Sequence, residues 1–372
     1  MMRLVLSLSD GLDPLAVERA IAEIRAARPV VIDDAGKSVL ALGVEDLDLG
    51  LCERLGALAS GRAHLVLPAA RLRRLGLDRS QPGTVALPVI DPARIETLAL
   101  KVDARIDAPT APVSELDEVA LELARLALVL PAVIVVPLAA GIDVDPSVVR
   151  VQADAVRDFR AANVRDLRIV SRAPVPLEGA SSTEFVVFRG GEGLRDQVAV
   201  IVGKPDLAQP VAVRLHSACL TGDLFGSLKC DCGDQLRDTV QRMAEGEGGI
   251  LLYLDQEGRG NGLANKIRAY KLQSQGYDTY DADEVLGFDL DQRRFDFAAE
   301  MLRQLDVASV RVMTNNPEKI GALRKAGIEV AEDQRVLGRP TAENVRYLAS
   351  KRDRAGHYID MDTLVARLPA GE

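Results

Sequence analysis

Apolar side chains recur along this chain with two periods, one helical and one strand-like. From Pro14 to Ala27, the residues Leu15, Ala16, Ala20, Ile21 and Ile24 fall at helical spacing, and the Pro29-Val30-Val31-Ile32 run behind them predicts a strand. A second amphipathic helix is predicted over 115–130, a buried strand over 132–136 and a further helix over 153–162. Residues 168–182 mix proline, glycine and serine and read as a domain start or connector, which places a boundary near residue 165. Beyond it strands and helices alternate more clearly. Strands are predicted over 198–202, 211–215, 249–254 and 310–313, and helices over 235–246, 264–275 and 295–305. Gly276 supplies a helix stop, while Asn316-Pro317 supplies a helix start whose stop is Gly327. The expectation is two domains: an α+β domain over 1–165, then an α/β sheet domain over 166–372 with its chemistry in loops at strand ends.

Composition narrows the class. The chain has 372 residues, 48% hydrophobic and 27% charged, which excludes disorder for most of its length and suits two or three globular domains. Its longest apolar stretch, 126–140, is interrupted by Pro131 and Pro137 and is shorter than the ~18–20 residues a bilayer needs, so no membrane partner is expected. No long apolar run precedes Asp10 and Asp13, which argues against a signal peptide and for a cytoplasmic protein. With 46 basic against 55 acidic residues the net charge is −9, and tryptophan is absent. Broad nucleic-acid binding by phosphate neutralisation or base stacking is therefore not expected. A local basic pocket for one small polyanion is not excluded.

Chemistry concentrates in four stretches of the second half. Cys52 stands alone, but Cys219, Cys230 and Cys232 fall together as Cys-x10-Cys-x-Cys. Three thiolates suit tetrahedral zinc and leave one position for water, as catalytic sites do. Two other readings stay open here: a structural zinc with His216 as fourth ligand, or three thiols without metal. The stretch Gln256-Glu257-Gly258-Arg259-Gly260 follows a strand, and glycine beside arginine lets a backbone and a guanidinium fork approach phosphate, although a plain strand–helix turn has the same composition. Asp291-Gln292-Arg293-Arg294 sets a carboxylate two residues from a guanidinium, or is a solvated helix start. Thr314-Asn315-Asn316-Pro317-Glu318-Lys319 makes a strand–loop–helix corner that can hold an anion or merely cap the helix.

Taken in order, the motifs His-Ser-x-Cys-Leu-Thr-Gly-Asp, Ser-Leu-x-Cys-Asp-Cys-Gly, Gln-Glu-Gly-Arg, Asn-Lys-Ile-Arg-Ala-Tyr and Thr-Asn-Asn-Pro resemble the GTP cyclohydrolase II family over about residues 166–372. The resemblance implies a layered α/β/α domain with a mixed sheet and a cytoplasmic homodimer. It also implies hydrolysis of GTP to a diamino-ribosylamino-pyrimidinone 5′-phosphate, formate and pyrophosphate, in riboflavin biosynthesis. It implies one zinc per chain on Cys219, Cys230 and Cys232, and magnesium with the GTP phosphates. It places phosphate binding on Arg214, Leu215, His216, Ser217 and Ala218, and guanine contact on Gln235. Glu257, Gly258, Arg259, Thr279, Thr314 and Lys319 match positions that hold the nucleotide. Tyr270 matches a tyrosine over the opening ring, Asp291 a proton acceptor and Arg293 a nucleophile at the α-phosphorus. Ala218 and Asp255 depart from the family pattern, which bears on turnover and affinity rather than reaction class. Two alternatives accompany this reading: a paralogue that stops at a formamido product, and a catalytically silent nucleotide-binding regulator.

Residues 20–34 and 117–127 resemble a dihydroxybutanone-phosphate synthase domain. Its acidic magnesium-binding loop is replaced by Ala35-Gly36-Lys37-Ser38, and its later His-Thr by Pro112-Val113-Ser114, which removes the oxygen ligands magnesium needs. The first domain is thus expected to be degenerate and non-catalytic, with His64 and Cys52 as core residues.

Overall fold

The computed structural model describes residues 12–139, 141–142, 144–190, 195–289, 293–336, 338, 341 and 344–361. Its contacts form two compact units, Met1–Ala162 with Ala282–Asp289, and Asn163–Asp281 with Leu290–Glu372.

The sheet of the first unit consists of β1 (Val30–Asp34), β2 (Lys37–Gly43), β3 (His64–Leu67), β4 (Gly83–Ala86), β5 (Thr110–Pro112), β6 (Val133–Leu138) and β7 (Arg150–Gln152), in the order β5-β4-β3-β6-β2-β1-β7. Neighbours are antiparallel except β1 and β7. Its helices are α1 (Leu12–Arg25), α2 (Leu49–Ala59), α3 (Ala69–Arg74), α4 (Pro92–Leu100), α5 (Glu115–Leu126) and α6 (Ala153–Arg165), at whose end the second unit begins. Val133 and Val135 join Val17, Ile24, Leu123 and Phe159 in one core, while Ile134 and Val136, on the opposite pleat, are equally buried. Both faces of this sheet are covered.

Two local features of this unit differ from expectation. The helix expected to reach residue 130 ends at Leu126, because Leu128 takes a left-handed φ of 57° and the Val129 N–H turns back to the Ala124 carbonyl at 3.2 Å. That is a Schellman stop made without glycine, hence invisible in composition. His64 is not a core residue but half-buried, with its Nε2 2.7 Å from Asp117 Oδ1. Cys52 is buried as expected.

In the second unit β8 (Arg168–Pro174), β9 (Thr183–Arg189), β10 (Asp196–Val202), β11 (Val211–Ser217), β12 (Gly249–Leu254), β13 (Ser309–Met313) and β14 (Glu329–Gln334) lie in the order β14-β13-β11-β12-β10-β9-β8. The stretch read as a domain start or connector thus opens the second sheet as an edge strand. Pairing with β9 overrides its turn-like composition, and a register shift between Ile169 and Ser171 absorbs the irregularity. The helices are α7 (Leu220–Asp223), α8 (Cys232–Glu245), α9 (Leu263–Gln273), α10 (Thr279–Val285, whose residues from Ala282 on fall in the first unit), α11 (Asp296–Gln304), α12 (Pro317–Lys325) and α13 (Val345–Ala355). On one face Leu215, Leu252 and Val312 pack with Phe297, Leu302 and Leu323; on the other, Leu251 and Val200 pack with Met243. The result is the layered α/β/α domain with a mixed sheet that was expected.

Helix ends obey their chemistry. Gly276 follows α9 with φ 99°, and the Tyr277 N–H reaches back to the Leu272 carbonyl. The Asn316 side chain caps α12 by accepting from the Glu318 N–H at 2.9 Å, with Pro317 next in line. Most important for function, β13, β11 and β12 are adjacent and parallel. Their carboxyl ends at Ser217, Leu254 and Met313 therefore open on the same edge, where open α/β sheets bind ligands.

Candidate active site

Each of these three strand ends delivers one motif. Cys219 follows β11, and Cys230 and Cys232 sit at the start of α8. The three sulfur atoms lie within 4.8 Å of one another, and Cys219 and Cys230 are 3.6 Å apart. A tetrahedral zinc with Zn–S near 2.3 Å spaces its sulfurs about 3.8 Å apart, so the trio fits that ion. Two glycines permit the approach. A Cβ on Gly222 would stand 2.7 Å from the Cys230 sulfur and 3.0 Å from that of Cys219, and one on Gly233 would stand 2.3 Å from the Gly222 carbonyl oxygen.

His216 is committed elsewhere. Its Nε2 lies 3.1 Å from Asp223 Oδ1, and its ring stacks on Tyr253 at 5.6 Å. Asp223 also accepts from the Cys219 N–H at 2.9 Å and the Tyr253 hydroxyl at 3.0 Å, which fixes the backbone of the first cysteine. Among the described residues, the group at metal-ligand spacing is the three cysteines without His216.

The electrostatics around the sulfurs come from a lysine that motif reading did not single out. Lys266 Nζ donates to Cys219 Sγ at 3.1 Å and to Glu257 Oε1 at 2.8 Å, while Glu257 Oε2 accepts from the Leu220 N–H at 2.6 Å. Hydrogen bonds from the other two thiols, joined by Lys266, pull the Cys219 thiol below its ordinary range; the same Cys219 contact pushes Cys230 up to about 11. Burial works against the Lys266 ammonium, but the Cys219 thiolate and Glu257 outweigh it and hold it charged. Lys266 also lies 5.7 Å from the Tyr270 ring centroid, one helical turn away on α9, with Lys229 at 5.0 Å. Burial raises the Tyr270 phenol. The available signal was the Lys266–Tyr270 spacing of four, which puts both side chains on one helix face.

A second cluster surrounds β11. The buried Arg214 donates to the Met313 carbonyl at 2.9 Å and to Gln235 Oε1 at 2.5 Å, and Gln235 donates in turn to Asp231 Oδ2. Lys319 Nζ donates to the Leu215 carbonyl at 2.6 Å and lies 5.3 Å from the Phe295 ring, over which Arg293 lies at 5.6 Å. Thr314 is buried, its hydroxyl accepting from the Asn316 N–H. Arg214 Nε, His216 Nδ1, Ser217 Oγ, Asp231 Oδ1 and Asn316 Nδ2 are buried without hydrogen-bond partners. Polar atoms left this way beside a loop cluster are what a polar ligand satisfies.

The third cluster is the Gly-Arg turn after β12. Gly258 and Arg259 both take left-handed backbone, φ 60° and 61°, and a Cβ at Gly258 would press on Lys266 Cβ at 3.0 Å. The strain aims Arg259 at Tyr280, 4.5 Å from its ring, and at the Thr279 carbonyl, 3.3 Å away. Of the sequence-derived site residues, Asp291 lies outside the described residues. Leu215 can offer only backbone, since its side chain is in the core, and Ala218 donates its N–H to the Leu254 carbonyl. Asp255 is held by Gln197 and Arg195.

Comparison with known proteins identifies the family. The GTP cyclohydrolase II family model matches residues 168–335. GTP cyclohydrolase-2 of Xylella fastidiosa (strain Temecula1) is 44% identical over 352 residues, which is 94% of this chain and 88% of that protein. GTP cyclohydrolase-2 of Azospirillum brasilense is 40% identical over 359 residues, 92% of this chain and 93% of that protein. A crystal structure of a two-domain 3,4-dihydroxy-2-butanone 4-phosphate synthase from A. baumannii is 17% identical with a TM-score of 0.33, covering 86% of this chain and 99% of that one. At that score it carries no argument about function.

Proposed function

Because this chain belongs to the GTP cyclohydrolase II family, we propose that it hydrolyses GTP to 2,5-diamino-6-ribosylamino-4(3H)-pyrimidinone 5′-phosphate, formate and pyrophosphate, in riboflavin biosynthesis. The observation that carries this is the three-sulfur group with Lys266, Glu257 and Tyr270 beside it. Held by Cys219, Cys230 and Cys232, one zinc per chain would supply Lewis-acid activation of water at neutral pH.

The chain's own residues divide the remaining work. Tyr270 packs over the ring to be opened, and Glu257, already hydrogen-bonded to Lys266, moves protons at the reacting carbon. Gln235 and the unsatisfied Asp231 Oδ1 face the guanine. Arg214, Ser217, Lys319, Thr314, Arg259 and Thr279 hold the triphosphate with its magnesium. Arg293 acts at the α-phosphorus as a charged clamp, since a guanidinium carries its charge at neutral pH and has no lone pair to offer as a nucleophile. Asp291 as proton acceptor rests on the family resemblance.

The first domain is part of the proposal as a non-catalytic relative of the synthase. At the turn where magnesium ligands would stand, Ala35 and Gly36 (φ 45° and 80°) close a two-residue hairpin. The nearby carboxylates are engaged: Asp33 accepts from Ser38 at 2.5 Å and Arg150 at 2.7 Å, and Asp34 pairs with Arg157 at 3.2 Å. The proposal extends to a cytoplasmic homodimer, with Leu224 and Phe225, exposed at 70% and 73%, as apolar surface for a second copy. No helix among the described residues is long and apolar enough to cross a membrane.

The deciding experiment incubates purified protein with GTP and magnesium and quantifies formate and pyrophosphate. Equimolar release is expected. Pyrophosphate without formate would replace this reading by a formamido product, and neither product would overturn it.

A further inference from the structure

We propose that the carboxyl-terminal segment clasps the nucleotide site described above, with Arg335 and Arg354 as positioning residues for the two turns that carry Thr314 and Thr279. The proposal rests on that reading of the GTP site and deepens it by naming what holds two of its turns in place. Every residue of the arrangement belongs to the second unit.

Thr314, Asn315 and Asn316 link β13 to α12. Thr314 is 1% exposed and Asn315 8%, so their backbone groups need partners within the protein. Residues after β13 supply them. The Thr314 N–H donates to the Gln334 carbonyl at 2.9 Å, and Arg335 Nη1 donates to the Thr314 carbonyl at 3.0 Å. The Asn315 side chain pairs with the Val336 backbone in both directions, accepting from its N–H at 3.0 Å and donating to its carbonyl. The Tyr358 N–H donates to the Asn315 carbonyl at 2.9 Å, and the Arg335 guanidinium lies 4.1 Å from the centroid of the Tyr358 ring. One arginine thus joins the Thr314 carbonyl to the residue that holds the next carbonyl.

Arg354, near the end of α13, grips a second turn. Asp278 Oδ1 accepts from the N–H groups of Tyr280 and Asp281 at 2.8 and 2.7 Å, which starts α10 around Thr279. Its other oxygen accepts from Arg354 Nη2 at 2.9 Å, and Arg354 Nη1 donates to Asp281 Oδ1 at 3.3 Å. The two carboxylates stand on either side of Thr279 in sequence, so one guanidinium brackets it. A third tie runs from the Thr341 hydroxyl to the Leu228 carbonyl at 2.9 Å, two residues before Cys230. Leu348 and Ile359 are buried against Val345 and Met361, which gives the segment an apolar centre of its own behind these ties.

One half-exposed ion pair contributes little to stability, so the clasp works through placement. A nucleotide held by Thr314 and Thr279 in the ground and transition states alike registers their displacement as weaker binding, while the chemistry at the sulfur site is unchanged. General loss of folding has a different signature. It leaves fewer active molecules, and so lowers apparent kcat and bound zinc together at constant KM.

The test uses the full chain carrying Arg335→Met, Arg354→Met, Tyr358→Ala or Tyr358→Phe. Each is compared with wild type in zinc content, in amide hydrogen exchange without nucleotide, and in kcat and KM for GTP from formate release. For Arg335→Met, exchange at 314–316 should quicken by about tenfold. Its KM should rise about tenfold, with kcat within about twofold of wild type and zinc content unchanged. Arg354→Met should quicken exchange at 278–281 alone and raise KM by about threefold. Tyr358→Ala should raise KM by about threefold, and Tyr358→Phe, which keeps the ring, should recover that loss. Unchanged KM in both arginine variants, unchanged exchange at both turns, or kcat and zinc falling together at constant KM overturns the proposal. If Arg335→Met fails to fold, Arg354→Met and Tyr358→Ala decide by the same criteria, since both side chains are about half exposed. A wild type that releases no formate overturns the GTP reading and the proposal with it, whereas an active wild type with unmoved variants sinks the proposal alone.

Discussion

The two units of this chain are built alike and equipped differently. Each has a mixed seven-stranded sheet with helices packed against it. In the first, polar groups near strand and helix ends are matched to one another: Asp117 to His64 and Ser114, Asp33 to Arg150 and Ser38. In the second, three parallel strand ends bring Arg214, His216, Asp231 and Asn316 into the interior with polar atoms unsatisfied, beside three thiols and a buried lysine. A self-satisfied polar network stabilises a fold, whereas an unsatisfied one awaits a ligand. The architecture is common to both units, and the chemistry lies in how the loops are finished.

The comparison can be broken most forcefully at Cys230. Cys230→Ser is expected to reduce zinc from about one per chain to a trace and formate release by about a thousandfold or more. Full zinc with full turnover would remove the cysteines from the site. Next comes Lys266→Met, which keeps the three sulfurs but removes the ammonium beside Cys219. Zinc affinity, measured by competition with a chromogenic chelator, should weaken by about 10–100-fold, and an unaltered affinity would reduce Lys266 to a packing residue.

In the first unit, Asp117→Asn should lower unfolding free energy in urea by about 1–3 kcal/mol, through loss of the helix cap and the His64 pair. Burial alone would raise the Asp117 pKa, yet His64 and the Ser114 N–H hold it below its ordinary value. Its contribution is therefore fully present above the unfolded value near 3.9 and is lost as pH falls through the lower folded value. The wild-type advantage over Asp117→Asn should vanish in acid; an advantage that persists there would come from packing rather than ionisation. The smallest expected effect is none: with ribulose 5-phosphate and magnesium, the full chain should form no dihydroxybutanone phosphate. Any product would dissolve the contrast between the units.

Legibility in the sequence followed the range of the interactions. The Asn316-Pro317 start, the Gly276 stop and the Gly249–Leu254 strand were readable because each is specified by neighbours in sequence. The Leu128 stop was not, since a leucine in left-handed backbone carries no compositional mark. The cysteine spacing exposed the sulfur site, but Lys266 lies 47 positions from Cys219, and only the fold joins them. The assignment of 282–289 to the first unit was equally hidden, because nothing local announces a contact spanning 214 positions.

The edge strand β8 has a consequence for the protein's behaviour at high concentration. An unpaired strand edge is a template on which a neighbouring molecule can add its own strand, the first step of aggregation. Here the outer strand is largely exposed, irregular between Ile169 and Ser171, charged at Arg168 and Arg172, and ended by Pro174. At the opposite edge, β14 carries Glu329, Glu332 and Asp333 on exposed positions. Proline withholds a donor and the irregularity spoils registry, so strand addition at the β8 margin is disfavoured, while the carboxylates of β14 repel a second copy of the same edge. The residues whose composition reads as a domain start or connector thus form an edge poorly suited to strand addition.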